Sequence, residues 1–459
     1  MTTSDKNDYL EKTPILKLLM RFSVPCIISL LVSALYNIVD QIFIGQGVGY
    51  LANAATNVVY PFTVIALAFS LLIGDGCAAF FSISLGRKEK KAGDTAAGNG
   101  ILLLIAAGVV LMLIGFLFED NILNLFGVTP ASYGYAREYL SIILIGFPFY
   151  VFTSGANSII RADGSPHYAM ISTVIGAVIN LILDPVAIFA LHLGVSGAAF
   201  ATIIGQIVSC IVTGLYFRRP KTLALDKKTF RPHKTILAKS CSLGISSFIT
   251  QLAIVLVIGV ANNMFVLYGG QSKFGADIPL SVVGIVMKVF GIVVAVVVGI
   301  AVGGQPIVGY NYGAGHYARV RETYRQILIS VSIVGVISML LFELCPQSII
   351  ALFGSENALY NEFAVLCFRI FLSGILLCSI QKASSIFLQS IGKPVQSMLL
   401  SLSRDVFFLI PGIIILPVFY GVTGILWAAP IADVLSILLT VFFISAQMRK
   451  LKKPEHAQA

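Results

Sequence analysis

The chain has 459 residues, of which 57% are hydrophobic and only 11% are charged. Because soluble domains carry roughly 25% charged residues, this composition excludes an ordinary soluble protein and predicts an integral membrane protein. The net charge of +10 would suit a nucleic-acid partner, but the positions of the basic residues favour a different explanation.

Apolar segments recur along the whole chain at lengths that can cross a bilayer, which takes roughly 20 apolar residues. They predict an all-α integral membrane fold with twelve transmembrane helices. The approximate bounds of the segments are 14–45, 53–83, 95–118, 135–160, 168–191, 195–217, 236–268, 279–310, 322–344, 359–390, 395–418 and 423–447.

Lysine and arginine fall in every second connection between these segments. One such connection contains Arg87 and Lys88, and another contains Arg218 and Arg219, whereas an intervening connection is acidic at Glu119. By the positive-inside rule, both termini are expected on the cytoplasmic side. The excess charge therefore sets orientation in the membrane, and no nucleic-acid partner is predicted.

The chain also repeats itself with a shift of roughly 227 residues, since Gly194-Val195-Ser196-Gly197 is echoed by Gly421-Val422-Thr423-Gly424. Six helices per half start both halves on the same side, which predicts two parallel, pseudo-symmetric six-helix bundles. The expected domains are an N-lobe at 1–217, a basic cytoplasmic linker at 218–235 and a C-lobe at 236–459. Paired bundles of this kind enclose a cleft and give alternating access by rocking against each other.

The first segment contains Pro25, which lacks an N–H and can bend the helix. Nearer its outer end, Asn37, Asp40 and Gln41 share one helix face. An ionisable residue at membrane depth costs on the order of 3 kcal/mol, and such residues usually mark ion or substrate pathways. Asp40 is therefore interpreted either as a cation or substrate ligand or as an interfacial residue close to the outer water.

Polar residues in the second and fourth segments give weaker signals. Asp75 lies between two glycines in the inner half of the second segment, and its role stays open. The fourth segment contains Asn157, a candidate for a substrate cavity. Arg161 and Asp163 follow it, and we expect them to pair at the cytoplasmic rim.

The fifth segment contains Asn180 and Asp184, which lie four residues apart on one helix face. Pro185 follows directly, so the simpler alternative is a pair of polar side chains that satisfies a proline kink. In the sixth segment, Thr202 and Gln206 begin a polar stripe that could also serve only interhelical hydrogen bonds.

Two carboxylates, an amide and a hydroxyl lie at similar depth in these helices, contributed by Asp40, Asp184, Asn180 and Thr202. Such an all-oxygen set suits a hard cation, and carboxylates that share a site also suit a proton. The seven cysteines form no cluster with histidine, so neither a metal site beyond Na⁺ nor a disulfide framework is predicted.

The second half has fewer acidic residues. Gln251 is a cavity candidate on its first helix. The other charges within or near its spans are Lys288, Arg369, Lys382, Arg404, Asp405 and Asp433. The last three are expected either to pair with one another or to contact substrate.

Several motifs together resemble the multidrug and toxic compound extrusion (MATE) family, and its bacterial MepA-like branch in particular. They are Asn37–Gly45, Arg161–Pro166, Ile179–Pro185, Gly194–Ala199 and Gly304–Gly315. The resemblance implies an exporter of lipophilic, usually cationic compounds such as antibiotics, which is driven by entry of H⁺ or Na⁺ and needs no other cofactor. It also implies a monomer located in the bacterial plasma membrane.

The resemblance also implies a cation site at Asp40, Asn180, Asp184 and Thr202, and a helix bend at Pro25. The chain departs from the branch with acidic residues in the C-lobe, because Gln251 stands where a glutamate would be expected. The alternatives are a flippase for a lipid-linked precursor, a membrane-embedded enzyme and a receptor. An enzyme is not expected, because no catalytic motif lies in a span.

Overall fold

The computed structural model of the chain describes residues 8–275, 277–353 and 358–452. These residues form helices, which we number in chain order, and no strand. The helices of the first half are α1 (Asp8–Lys12), α2 (Ile15–Gly47), α3 (Tyr50–Gly86), α4 (Lys90–Leu117), α5 (Glu119–Leu125), α6 (Tyr133–Ala162), α7 (Pro166–Pro185) and α8 (Gly194–Tyr216). Those of the second half are α9 (Lys234–Gly270), α10 (Asp277–Gly313), α11 (Tyr317–Leu344), α12 (Pro346–Phe353), α13 (Ala358–Phe371), α14 (Ile375–Ser390), α15 (Pro394–Leu402), α16 (Ile410–Tyr420) and α17 (Val422–Lys450).

The predicted set of twelve spans is confirmed. Among the described residues, eleven helical segments are long and apolar enough to cross a membrane, and α13 with α14 forms a twelfth span that bends by 48° at its break. Gly374 lies in that break, and a Cβ there would lie 2.1 Å from Oδ2 of Asp433. The span therefore breaks where it passes a buried carboxylate.

The buried apolar side chains form two main clusters. One runs from Ile44 to Leu223, and the other runs from Phe265 to Leu451 and takes in Leu19 from α2. We call α2–α8 the first bundle and α9–α17 the second bundle. Each bundle thus has its own apolar core.

The two bundles contact each other closely at the end that contains α1, Arg87 and the linker at 217–233, which we call the basic end. A Cβ on Gly244 would lie 1.8 Å from the carbonyl oxygen of Leu72 in the first bundle, so this approach requires glycine. Nearer the other end of α10, a Cβ on Gly284 or Gly291 would meet nothing within 4 Å. The bundles are therefore closed at the basic end and separated at the other, which we call the open end.

The short helix α1 ties both bundles together at the basic end. Arg319 of α11 donates to the carbonyl oxygens of Leu10 at 3.0 Å and Thr13 at 2.7 Å. On the other side, the ammonium of Lys221 in the linker lies 4.4 Å from the ring centroid of Tyr9. Burial raises the pKa of Tyr9 to about 12, so its hydroxyl stays neutral within this contact.

The expected ion pair between Arg161 and Asp163 is wrong. The carboxylate of Asp163 instead accepts bonds from the backbone N–H groups of Lys221 at 2.8 Å and of Thr222 and Leu223 at 2.9 Å. A buried carboxylate is well satisfied by several N–H donors, and the linker supplies them. Asp163 therefore anchors the linker, and Arg161 points toward the interior of the first bundle.

Candidate functional site

A cavity of about 400 Å³ lies within the first bundle, lined by residues of α2, α3, α6, α7 and α8. Seven of the residues singled out from the sequence line it: Asn37, Asp40, Gln41, Asn157, Asn180, Thr202 and Gln206. Their shared position follows from helix spacing, since each lies on a face that turns away from the surrounding lipid.

The carboxyl groups of Asp40 and Asp184 meet beside this cavity. Asp184 is completely buried and Asp40 is 8% exposed, and the two carboxyl groups lie close enough to act on each other electrostatically. Two buried carboxyl groups near each other disfavour ionisation of both at once, because like charges repel. The pair is therefore able to hold a proton between two helices.

Asn180 connects this pair to α8. Its amide nitrogen donates to Oδ1 of Asp184 at 3.1 Å and to the hydroxyl of Thr202 at 3.3 Å. Neither Asn180 nor Asp184 makes a side-chain hydrogen bond to the described backbone around Pro185. The proline-kink alternative therefore accounts poorly for these two residues.

Close packing of α7 on α8 sets this geometry. A Cβ on Gly176 would lie 2.7 Å from the carbonyl oxygen of Gly205 and 2.0 Å from the hydroxyl of Ser209. Small residues at these positions let the two backbones approach, as is usual for helix pairs in membranes. Beyond Pro185 the helix widens into a π turn at Val186–Ala190, so the polar pair lies at the last regular turn of α7.

Several buried oxygen atoms of the site have no hydrogen-bond partner among the described residues. They are Oδ1 of Asp40, Oδ1 of Asn180, Oδ2 of Asp184 and Oε1 of Gln206. Leaving a buried acceptor unpaired costs about 1–3 kcal/mol, and a bound cation or proton would offset that cost. The donor set is all oxygen, and no three His, Cys, Asp or Glu residues cluster in the described part of the chain. These features fit Na⁺ or H⁺ better than a transition metal.

Four tyrosines, none of them among the candidate site residues predicted from the sequence, also line the cavity: Tyr36, Tyr60, Tyr139 and Tyr150. Tyr36 precedes Asp40 by one helical turn, so a ring and a carboxylate lie on one face of α2. Tyrosine rings attract cations at their faces. The cavity therefore combines aromatic rings with negative charge, which suits a flat, lipophilic cation.

The other predicted residues have different surroundings. Asn157 accepts a bond from Ser172 at 3.0 Å and donates to Thr173 at 3.2 Å, so it joins α6 to α7. Gln251 lies on α9 in the second bundle and is not among the residues that line this cavity. Pro25 lies inside α2, which continues past it without interruption.

The buried charges of the second bundle pair with one another. Nε of Arg404 donates to Oδ1 of Asp433 at 2.7 Å, and its Nη1 donates to Oδ1 of Asp405 at 2.6 Å. A π turn at Ser403–Leu409 contains Arg404 and Asp405. Of the two interpretations of these residues, the structure supports mutual pairing.

Asp75, whose role the sequence left open, belongs to a chain of hydrogen bonds between the two bundles, which we call the Asp75 chain. Its carboxylate accepts from Ser158 of α6 at 2.7 Å and from Ser247 of α9 at 2.8 Å. Ser158 in turn accepts from Arg161 at 2.8 Å, and Ser247 accepts from Gln389 of α14 at 3.1 Å. The chain thus crosses the closed end next to Arg161, which also lines the cavity.

Comparison with known proteins yields consistent matches. The profile of the family described as MatE matches residues 25–186 and 248–415. A multidrug export protein MepA from Staphylococcus haemolyticus is 26% identical over 96% of both chains, and MepA from Staphylococcus aureus strain MRSA252 is 24% identical over 95% of both.

Solved structures resemble the fold over nearly its whole length. A multidrug resistance MATE family transporter of the MOP superfamily, solved in an outward-facing conformation, superposes with a TM-score of 0.90 at 22% identity, covering 97% of this chain and 98% of that one. A MOP superfamily transporter from Pyrococcus furiosus superposes with the same TM-score at 21% identity and the same coverage.

Proposed function

The chain belongs to the MatE family, and from this premise we propose that it is a secondary active antiporter that exports lipophilic cations, including drugs, in exchange for H⁺ or Na⁺. The observation that carries this proposal is the tyrosine-lined cavity that contains Asp40 and borders Asp184, two carboxyl groups that each have an unpaired oxygen atom. The names of the MepA relatives, which are multidrug export proteins, support the same function.

The coupling ion would bind at Asp40, Asp184, Asn180 and Thr202. A proton would be held by the two carboxyl groups, whereas Na⁺ would also be coordinated by the unpaired amide oxygen of Asn180. A cationic substrate in the same cavity is attracted by the same negative charge. Substrate and ion would therefore compete, and binding of the ion would lower the affinity for the substrate and release it.

Alternating access would involve the Asp75 chain. By the positive-inside rule the basic end is cytoplasmic, so the closed basic end and the separated open end correspond to an outward-open state in a bacterial plasma membrane. Return to an inward-open state requires the bond between Ser247 and Asp75 to break, because it joins one bundle to the other.

The flippase alternative fits the cavity less well. An anionic lipid-linked precursor would favour a basic cavity, whereas this one contains the carboxylate of Asp40 and borders that of Asp184. Arg161 lies at its edge and donates to Ser158.

The proposal is tested with purified protein in proteoliposomes and rhodamine 123, a fluorescent lipophilic cation. An acidic or a Na⁺-loaded interior is imposed separately, and dye accumulation is compared with protein-free liposomes. Accumulation driven by one of the two gradients supports antiport and identifies the ion. Equal dye content with and without protein under both gradients would refute antiport of lipophilic cations.

A further inference from the structure

Arg404 places a positive charge in the interior of the second bundle. Its side chain is 7% exposed, and it pairs with Asp433 at 2.7 Å and with Asp405 at 2.6 Å. The guanidinium carbon also lies 6.0 Å from the ring centroid of Phe290 on α10. Carboxylates and the face of an aromatic ring are the groups with which proteins bind organic cations. We call Asp405, Asp433 and Phe290 the cage.

The internal repeat relates the surroundings of Arg404 to those of the first cavity. A glycine with left-handed backbone stands before and after the fifth span of each half: Gly164 and Gly194 in the first, Gly392 and Gly421 in the second. Gly392 follows Gly164 by 228 positions, whereas Gly421 follows Gly194 by 227. The two halves therefore correspond with an offset of 228 before this span and 227 after it, and the second half lacks one residue within the span.

A hydrogen bond between two helices recurs at the first offset. Asn157 of α6 donates to Thr173 of α7 at 3.2 Å. The residues 228 positions later, Ser385 of α14 and Ser401 of α15, share a hydrogen bond of 2.8 Å. The helix pairs α6–α7 and α14–α15 thus pack in the same way.

A contact between a glycine and a polar side chain also recurs. A Cβ on Gly146 would collide with Oε1 of Gln206, and a Cβ on Gly374 would collide with Oδ2 of Asp433. Gly374 follows Gly146 by 228 positions, and Asp433 follows Gln206 by 227. Gln206 and Asp433 therefore occupy equivalent places in the two bundles.

The counterparts of the second bundle's buried charges line the cavity of the first bundle. Asp433 corresponds to Gln206, and Arg404 corresponds to Gly176 or Ala177, according to where the missing residue falls. All three counterparts line the cavity. Where the first bundle has small side chains beside open space, the second bundle has a guanidinium between two carboxylates.

The charges of this region balance because Arg404 is present. Asp405 and Asp433 contribute two negative charges, and Lys382 of α14 lies close enough to act electrostatically on both carboxylates. Arg404 supplies the second positive charge. Without it, the region would carry a net negative charge in a buried place, which is costly and which one monovalent cation would neutralise.

We propose that the cage is a cation-binding site, equivalent in position to the cavity of the first bundle, in which the side chain of Arg404 takes the place of a free cation. A short residue at position 404 would let the cage bind a flat monovalent cation of the guanidinium class from solution. In the wild type the tethered guanidinium cannot leave, so exchange of cations is left to the first bundle. This last step rests on the proposed function, whereas binding to the emptied cage does not.

The test uses Arg404→Ala and two small probes. Ethylguanidinium replaces the atoms that the substitution removes, and N-ethylurea has nearly the same shape without the charge. The thermal midpoint of the purified variant should rise with ethylguanidinium and saturate, with half the effect at about 1–10 mM for so small a ligand, because the ligand binds only the folded state. N-ethylurea should not raise it, and the wild type should respond to neither probe.

Arg369→Ala is the matched control, since Arg369 is exposed on α13 and pairs with Glu343 at 4.0 Å. Its midpoint should not respond to ethylguanidinium. Arg404→Ala combined with Asp433→Asn removes one charged wall of the cage and should weaken the binding of ethylguanidinium about tenfold or more, because a charge-assisted bond is lost.

Recovery of folded protein is the second readout, in case Arg404→Ala folds only when a ligand fills the cage. Membranes are extracted with ethylguanidinium or with N-ethylurea, and the folded fraction is measured by size-exclusion chromatography. Several-fold higher recovery with ethylguanidinium supports the proposal. Equal midpoints or equal recovery with the two probes overturn it, as does a response of the wild type or of Arg369→Ala that matches that of Arg404→Ala. If ethylguanidinium binds Arg404→Ala but the wild type accumulates no dye under either gradient, the proposed function fails while the cage stands.

Discussion

Ser247→Ala should weaken the closure of the basic end. Ser247 donates to Asp75 across the two bundles at 2.8 Å and accepts from Gln389 at 3.1 Å. The substitution removes both bonds but leaves Asp75 bonded to Ser158 within the first bundle. The closed arrangement therefore loses a connection between the bundles, while Gln389 keeps its bond to the carbonyl oxygen of Leu243 within the second bundle.

The size of the effect follows from the nature of the bond. A hydrogen bond to a carboxylate contributes about 1.5–3 kcal/mol, and each 1.4 kcal/mol is a factor of ten. The equilibrium between closed and opened basic ends should thus shift by about 10- to 150-fold. When the basic end of the wild type opens, water can bond to Ser247 and Asp75 and so offsets part of the lost hydrogen-bond energy. We therefore expect the equilibrium to shift by a factor near the lower figure.

Double electron–electron resonance between spin labels at the open end measures this shift. Suitable sites are Leu125 in the first bundle and Leu344 in the second, which are 77% and 74% exposed. The three cysteines that are not buried, Cys210, Cys241 and Cys345, are first replaced by serine so that only the introduced sites react. Ser247→Ala should increase the population with shorter distances, because the open end closes as the basic end opens.

The matched control is Ser242→Ala, which lies on the exposed side of the same helix and removes only a bond to the carbonyl oxygen of Lys239. It should leave the distance distribution unchanged. If Ser247→Ala gives the same distribution as Ser242→Ala, the Asp75 chain does not contribute to closure and the reasoning is refuted.

Three further predictions concern stability. Gly374→Ala places a Cβ 2.1 Å from Oδ2 of Asp433, so it should cost about 1–3 kcal/mol and lower the thermal midpoint; an unchanged midpoint would contradict the packing described here. Arg404→Met removes the hydrogen bonds of two buried carboxylates and should destabilise the protein by about 3–5 kcal/mol in the same assay. An unchanged thermal midpoint would show that these carboxyl groups are not charged. Asp163→Asn weakens the anchoring of the linker and should speed proteolysis there at least several-fold. Equal cleavage of mutant and wild type would refute that anchoring role.

The fold could be predicted from the sequence because a long apolar segment in a bilayer must bond its own backbone groups, and a helix does this. The break in the tenth span could not, since it depends on Asp433, a residue of α17 that packs against Gly374 from more than fifty positions away. The polar residues Asp40, Asn180 and Asp184 were identifiable because each is costly in an apolar segment. Helix spacing then placed them on faces that could meet.

Other parts of the site depend on contacts that no local pattern encodes. The cavity tyrosines could not be picked out from the sequence, because the chain has 17 tyrosines and aromatic residues occur at lipid-facing positions as well as in cavities. Asp163 was assigned the wrong partner because its donors come from the linker backbone, which has no side-chain signal. Asp75 could not be interpreted because Ser247, its partner, lies in the other half of the chain.

The carboxylate of Asp184 is the central group of the proposed coupling site. Rhodamine 123 accumulation in proteoliposomes should be measured for the wild type, for Asp184→Asn and for Glu362→Gln, an exposed control that also removes one carboxylate. We predict that the H⁺ or Na⁺ gradient that drives the wild type also drives the control, and that Asp184→Asn loses about tenfold or more of this accumulation, since the ion can no longer discriminate between the states. Gradient-driven accumulation at the wild-type rate in Asp184→Asn would contradict the proposed coupling site.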